Sequence, residues 1–202
     1  MKKSFYSIGK SVEVELVIKR SRFIAAASPV DDEDEANSFI EQIKEGHERA
    51  THNVFAYLIN EQVMRSSDDG EPAGTAGRPV LEVLKKQNLE RTAVVVTRYF
   101  GRIKLGAGGL VRAYSDAAIK AVDRAGIVEK RLHQGVFVRV DYQFFGPVKG
   151  ELELAGGLVW DIKYDEQVTI CCLLPVDADI SPVLEGVTSG QVELKEGKCR
   201  YI

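Results

Sequence analysis

The stretch TAVVVTRYFGRIKLGAGGLVRAYSDA (Thr92–Ala117) carries the signals that decide the fold. Its first eight residues, Thr92–Tyr99, form a nearly continuous apolar run, which predicts a strand covered on both faces. Gly101–Gly109 reads as a loop. Leu110–Ala125 then reads as a helix that Gly126 ends. A doubly covered strand that feeds a helix through a glycine turn implies helices layered on a sheet.

Upstream, SSDDGEPAGTAGRP (Ser66–Pro79) packs Asp68, Asp69 and Glu71 among glycines and prolines. Gly74 and Gly77 open backbone conformations closed to other residues, while Pro72 and Pro79 stiffen the ends, so the loop is shaped rather than slack. Pro79 reads as the first position of a helix, Val80–Gln87. The alternation VEVELVIK (Val12–Lys19) predicts a half-buried strand, with Arg22–Ser28 as its partner. Asp31–Glu35 opens a helix whose Ala36, Phe39, Ile40 and Ile43 recur at helical spacing. Asn53–Ile59 and Gln62–Ser66 read as a hairpin.

After Gly126 the grammar changes. Strand Val136–Phe144, a helix from Gly146 to about Ala155, strands Leu158–Tyr164 and Gln167–Leu174, helix Ile180–Thr188 and strand Gln191–Tyr201 give the order β-α-β-β-α-β, which is the ferredoxin-like order. The expected organisation is therefore α+β, with two domains at residues 1–130 and 135–202 and a boundary near 127–134.

Composition is that of an ordinary globular chain: 202 residues, 45% hydrophobic, 28% charged, net charge −3. The longest apolar runs are strand-sized, so no membrane association is expected. The start, MKKSFYSIGK, has no apolar stretch behind its lysines and predicts no secretory signal, hence a cytoplasmic location. Three cysteines, two of them adjacent at Cys171 and Cys172, suit a reducing compartment better than a disulfide framework.

Charge is uneven along the chain. From Gly135 onward 6 basic side chains face 11 acidic ones, a balance of −5, whereas Arg78–Arg131 carries 12 basic and 5 acidic side chains, a balance of +7. Such a belt favours an anionic partner, phosphate or RNA; the alternative is a set of solvated helix faces.

Two loops carry the candidate chemistry. Gly106, Gly108 and Gly109 lie just ahead of the predicted helix, whose first amides lack internal partners and can turn toward an anion. Arg98, Arg102, Lys104 and Arg112 supply full charges nearby. The alternative is that the glycines only permit close helix–sheet packing. In the acidic loop, Asp68, Asp69 and Glu71 can bind a hard cation, cap the loop's own amides, or pair with Arg98 and Arg102. Thr75 and Arg78 belong to the same loop. The spacing of His47 and His52 suits no metal pair, and Ser115 and Thr75 lack a nucleophile-elbow context. No triad, acid/base pair or cofactor fingerprint emerges, so no cofactor is expected and the reading leans away from an enzyme.

SDDGEPAGTAGRPVLEVL and VVVTRYFGRIKLGAGGLVRAYSDA, with SRFIAAASPV and ATHNVFAYLI upstream, resemble the Impact family, of the bacterial YigZ/YvyE type, over essentially the whole chain. The resemblance implies an N-terminal domain like domain 2 of ribosomal protein S5 and a C-terminal domain like the last domain of translation elongation factor G. Both of those relatives work on RNA, and the eukaryotic Impact protein regulates translation. The resulting expectation is a non-catalytic, translation-associated regulatory protein. It binds RNA or a ribosome-associated factor through its N-terminal domain, without DNA sequence specificity. Two alternatives stay open: an enzyme acting on a phosphorylated small molecule, and a module that binds another protein through its acidic C-terminal domain.

Overall fold

The computed structural model describes residues 2–202 and divides the chain into two compact units, residues 5–129 and residues 130–202 together with residues 2–4. The division falls inside one strand, so residues 127–134 are strand and not a linker.

The first unit is built on an antiparallel sheet of β2 (Val12–Ile18), β3 (Ser21–Pro29), β4 (His52–Leu58), β5 (Met64–Ser67) and β6 (Thr92–Tyr99), in the order β2-β3-β6-β4-β5. One face is covered by α2 (Gly77–Lys86) and α3 (Ala107–Ala125), against which Phe23, Ala25, Val54, Ala56, Val94 and Val96 pack. The other carries α1 (Glu33–Gly46), whose Ala36 and Ile40 meet Phe55, Tyr57, Ala93 and Val95. β6 is therefore buried on both sides, as its continuous apolar run requires. Asp32 caps α1 by accepting from the Glu35 amide at 2.9 Å, and three acids in the first turn suit the helix dipole.

The second unit runs β7 (Ile127–Val140), a short 3-10 turn at Tyr142–Phe144, α4 (Phe145–Leu154), β8 (Leu158–Tyr164), β9 (Val168–Pro175), α5 (Ser181–Thr188) and β10 (Glu193–Tyr201). Its strands are antiparallel in the order β8-β9-β7-β10. Val138, Val140, Val168, Ile170 and Cys172 close one sheet face against Val148 and Leu152 of α4 and Leu184 of α5. No helix among the described residues is long and apolar enough to cross a membrane.

Several elements differ from the sequence reading. β1 (Ser4–Ile8), which pairs with β7, has no sequence-level counterpart, because two of its five residues are serines and it follows two lysines. β7 starts nine residues earlier than expected and ends at Val140, and α2 begins at Gly77, two residues ahead of Pro79. α3 begins at Ala107, so Gly108 and Gly109 form its first turn and only Gly106, at φ 74°, precedes it. First-turn amides have no intrahelical partner in any case, and glycine's low helix propensity costs least there.

Gly101 admits no side chain: a Cβ on it would stand 2.0 Å from the backbone carbon of Arg20 in the β2–β3 turn, and its amide donates to Ser21 Oγ at 3.1 Å. Gly101→Ala is expected to cost roughly 1–3 kcal/mol of stability, the range for overpacking, measurable as a lowered urea midpoint with an unchanged m-value.

Candidate functional site

Alternation along β6 puts Val94, Val96 and Arg98 on the α2/α3 side of the sheet. Register places Phe23 of β3 and His52 of β4 on either side of Arg98 in the same row. Arg98 is consequently inside the protein, 5% exposed, and does not stand at the surface as the sequence-level anion site supposes. Its guanidinium carbon lies 5.4 Å from the ring centroids of both Phe23 and Phe100. Stacking of this kind suits a weakly hydrated planar cation.

A buried cation needs a partner, and Glu71 provides it. Arg98 Nη1 donates to Glu71 Oε1 at 2.5 Å, and Tyr114 Oη of α3 donates to the same oxygen at 2.8 Å. The two charged side chains are 6% and 3% exposed. Arg98 Nη2 reaches Ser21 Oγ at 3.4 Å, while Nε is buried without a partner. Burial and the Glu71 carboxylate push the Tyr114 phenol far above its ordinary value, so it stays protonated and donates. His52 completes the cluster: a carbonyl can only accept, so its Nδ1 donates to the Asp69 carbonyl at 2.7 Å, which leaves Nε2 3.9 Å from Glu71 Oε1.

The three loop carboxylates diverge. Asp68 accepts from the amides of Gly74 at 2.8 Å, Ala76 at 3.0 Å and Gly77 at 2.8 Å. Burial pushes its carboxyl up, but those three amide bonds outweigh it and hold the pKa below the usual carboxylate range. Asp69, at φ 45°, turns the other way and accepts from the Asn53 amide at 2.6 Å. Glu71 points inward to Arg98. Among the described residues no group of three or more His, Cys, Asp or Glu is placed to hold a metal ion. Thr75 is buried and donates to the Pro72 carbonyl at 2.7 Å.

The two loops do meet. Above the Arg98–Glu71 pair is a cavity of about 450 Å³ lined by Glu71, Arg98, Thr51, Lys104, Gly106 and Leu110, among others. Ala107 of the first turn of α3 also borders it, and no side chain caps that helix end. Lys104 and Gly106 are thus at the cavity, whereas Arg102, Gly108, Gly109 and Arg112 are outside its lining. Arg102 and Arg112 are exposed, and Arg112 Nε donates back to the Gly108 carbonyl at 3.3 Å. Arg78 is separate from the acidic loop's interior: it lines a groove between α2 and α3 with Glu82, Lys86, Val111 and Ile119.

His52, Tyr114, Phe23 and Phe100 are site members that the sequence reading lacks. The signal for the first three is geometric: cross-strand register for Phe23 and His52, and helical spacing from Leu110 for Tyr114, four residues on.

These features define a class: a two-unit α+β protein in which a buried arginine–glutamate pair lies beneath an uncapped helix end. Residues 19–122 match the family model described as the Impact N-terminal domain, and the chain belongs to the Impact family. It is 41% identical over 203 residues to IMPACT family member YvyE of Bacillus subtilis, covering 98% of this chain and 94% of that one. Against IMPACT family member YigZ of Escherichia coli the identity is 31% over 183 residues, covering 88% and 90%. A solved structure described as a crystal structure of an hypothetical protein superposes with a TM-score of 0.65 at 30% identity, covering 96% of this chain and 97% of that one.

Proposed function

We propose that this chain is a non-catalytic, translation-associated regulatory protein whose first unit holds an RNA backbone at the N-terminal end of α3. The observation that carries this reading is a cluster of exposed cations on adjoining turns: Lys19 and Arg20 in the β2–β3 turn, then Arg102 and Lys104 beyond Gly101. Among the described residues none of the four has an ion-pair partner, unlike Arg22, which is held by Glu15 at 2.9 Å. Lys104 stands at the rim of the cavity that Gly106 and Ala107 at the uncapped start of α3 also border, so its charge lies beside the positive helix end. Arg98 acts differently, since its charge is matched by Glu71 and it supports the rim from below.

The fold suits this partner. The order β-α-β-β-α-β with strands β8-β9-β7-β10 supports a ferredoxin-like second unit, similar to the last domain of elongation factor G. The first unit is read as S5 domain 2-like.

In the test, a labelled single-stranded RNA is titrated by fluorescence anisotropy at several salt concentrations. The Arg102→Ala/Lys104→Ala double variant is expected to bind on the order of tenfold more weakly. Its slope of log K against log salt should flatten by about 1.4, or about 0.7 per lost phosphate contact. Unaltered affinity and slope would sink the reading.

The cavity favours a second reading, a site for a small phosphorylated molecule with Lys104 and the α3 amides on the phosphate. Inorganic phosphate or a nucleotide that raises the melting temperature of the wild type, but not of Lys104→Ala, would select it.

A further inference from the structure

The second unit is acidic as a whole, yet its two sheet faces differ sharply in charge. Register and alternation assign every strand position to a face. Val136, Val138 and Val140 point to α4 and α5, with Ile170, Cys172, Ile162 and Leu194 on the same side. The opposite face takes Gly135, Phe137 and Arg139 from β7 and Thr169, Cys171 and Leu173 from β9. Lys163, across from Thr169, comes from β8, and Lys195, across from Phe137, comes from β10. Arg200, opposite His133, joins them beyond the β10 bulge.

This open face therefore carries Arg139, Lys163, Lys195 and Arg200, four of the six basic side chains from Gly135 onward. It carries only two of the eleven acids, Asp161 and Glu193. The other nine lie on the helices, the strand-end turns or the helix side of β10. The balance of −5 thus conceals a face of opposite sign.

The face also presents an aromatic platform. A register shift between Val159 and Asp161 inserts Trp160 as an extra residue of β8. Such a bulge re-aims a side chain, and here the indole comes onto the open face. Trp160 meets the Phe137 ring edge-on, with centroids 6.2 Å apart, while staying 51% exposed. The β10 backbone packs closely beside Phe137: a Cβ on Gly135 would stand 3.0 Å from the Lys198 carbonyl oxygen, and one on Gly197 3.0 Å from the Phe137 ring, so both positions take glycine and the other side of the ring meets Trp160. Leu158, 48% exposed, continues the apolar surface.

We infer that the helix-free face of the β8-β9-β7-β10 sheet binds single-stranded RNA, with bases stacked on Trp160 and Phe137 and backbone phosphates held by Arg139, Lys163, Lys195 and Arg200. A four-stranded sheet that carries one aromatic on an inner strand, a second on an edge strand, and cations on the same face is a geometry suited to unpaired bases, because every base offers a π-face. Single strands fit better than duplex, whose bases are closed to stacking. Asp161 keeps one carboxylate oxygen beyond the one that accepts from the Ile162 amide at 2.9 Å, an acceptor for a ribose 2′-hydroxyl that DNA lacks. No residue of the first unit takes part, so this face stands independently of the cationic rim proposed above.

Trp160 is the chain's single tryptophan, so it reports directly on this face. The full chain is titrated with an unlabelled 12-nucleotide RNA while intrinsic fluorescence is followed, and with labelled RNA by anisotropy. The expected result is quenching of the indole that saturates together with the anisotropy. Trp160→Ala, with native circular dichroism, should weaken binding about tenfold, Trp160→Phe should restore most of it, and the DNA oligomer should bind several-fold more weakly. Arg102→Ala/Lys104→Ala should leave the quenching amplitude at saturation unchanged. RNA that binds without quenching, with Trp160→Ala unaffected, would overturn the inference and leave the rim proposal intact. Equal binding of DNA, or no binding of RNA to the wild type at low salt, would also overturn it. Quenching that persists with undiminished affinity in the Arg102/Lys104 variant would overturn the rim proposal alone.

Discussion

Glu71→Ala is expected to lower the unfolding free energy of the first unit by about 3–5 kcal/mol, the cost of removing one member of a buried ion pair. The reason is what it leaves behind. Arg98 would keep its full charge at 5% exposure, beside two aromatic rings, with Nε already without a partner. Tyr114 would lose the acceptor that its buried hydroxyl now uses at 2.8 Å. Urea unfolding followed by circular dichroism measures the loss. Arg98→Ala alone should be costly for the mirror-image reason, a buried carboxylate without its cation. Replacing both residues with methionine should recover most of the loss, because two apolar side chains of similar size need no partner. A double variant as unstable as the single ones would mean that the pair contributes more than mutual charge compensation. The pair also ties the acidic loop to β6 and α3 beneath Lys104, a cation of the proposed rim. Binding at the rim should therefore weaken in Glu71→Ala even at temperatures where the unit stays folded.

The sequence makes the layers legible and the centre of the site much less so. β6 is plain at sequence level because a continuous run of apolar β-branched residues has few alternatives to a doubly covered strand. The helical spacing of Ala36, Phe39, Ile40 and Ile43 likewise leaves little choice for α1. Arg98 shows where local pattern stops. Its charge argues for solvent, while its alternation with Val94 and Val96 argues for the interior. The contest is decided by Glu71, 27 residues away, which no local pattern pairs with it. The start of α3 is obscured for a different reason. Gly108 and Gly109 have the propensity of a loop, yet the first turn of a helix makes few bonds of its own and tolerates them. Neighbouring carboxylates pose the same kind of problem. Asp68 and Asp69 look equivalent as letters, but the positive φ of Asp69 sends the two side chains to different partners. In the second unit the net charge misleads, since a sum over residues carries no information about which face of a sheet holds them.

Asp68→Ala is expected to cost about 3 kcal/mol, because one carboxylate satisfies three backbone amides and bonds to a charged acceptor exceed neutral ones. The Gly74 amide can turn to water. Those of Ala76 and Gly77 are buried where the loop enters α2, at a helix start whose N-cap residue makes no side-chain cap bond. Asp68 thus substitutes for the side chain of the N-cap residue Ala76 from eight residues upstream, and its loss should fray α2 as well as loosen the loop. The pH dependence gives a sharper check. The folded-state pKa of Asp68 lies below its ordinary 3.8, so the unfolded chain takes up a proton first as pH falls. Its stabilisation is complete above the unfolded value and is lost as pH drops through the lower, folded one. Asp68→Asn removes the titrating group while keeping the shape. The stability gap between wild type and Asp68→Asn should therefore be constant near neutral pH and close progressively below about pH 3.8. A gap that stays level, or widens, on acidification would mean that the carboxylate is not held by these amides in solution. The three-amide turn would then have to draw its order from Pro72, Thr75 and Pro79 alone.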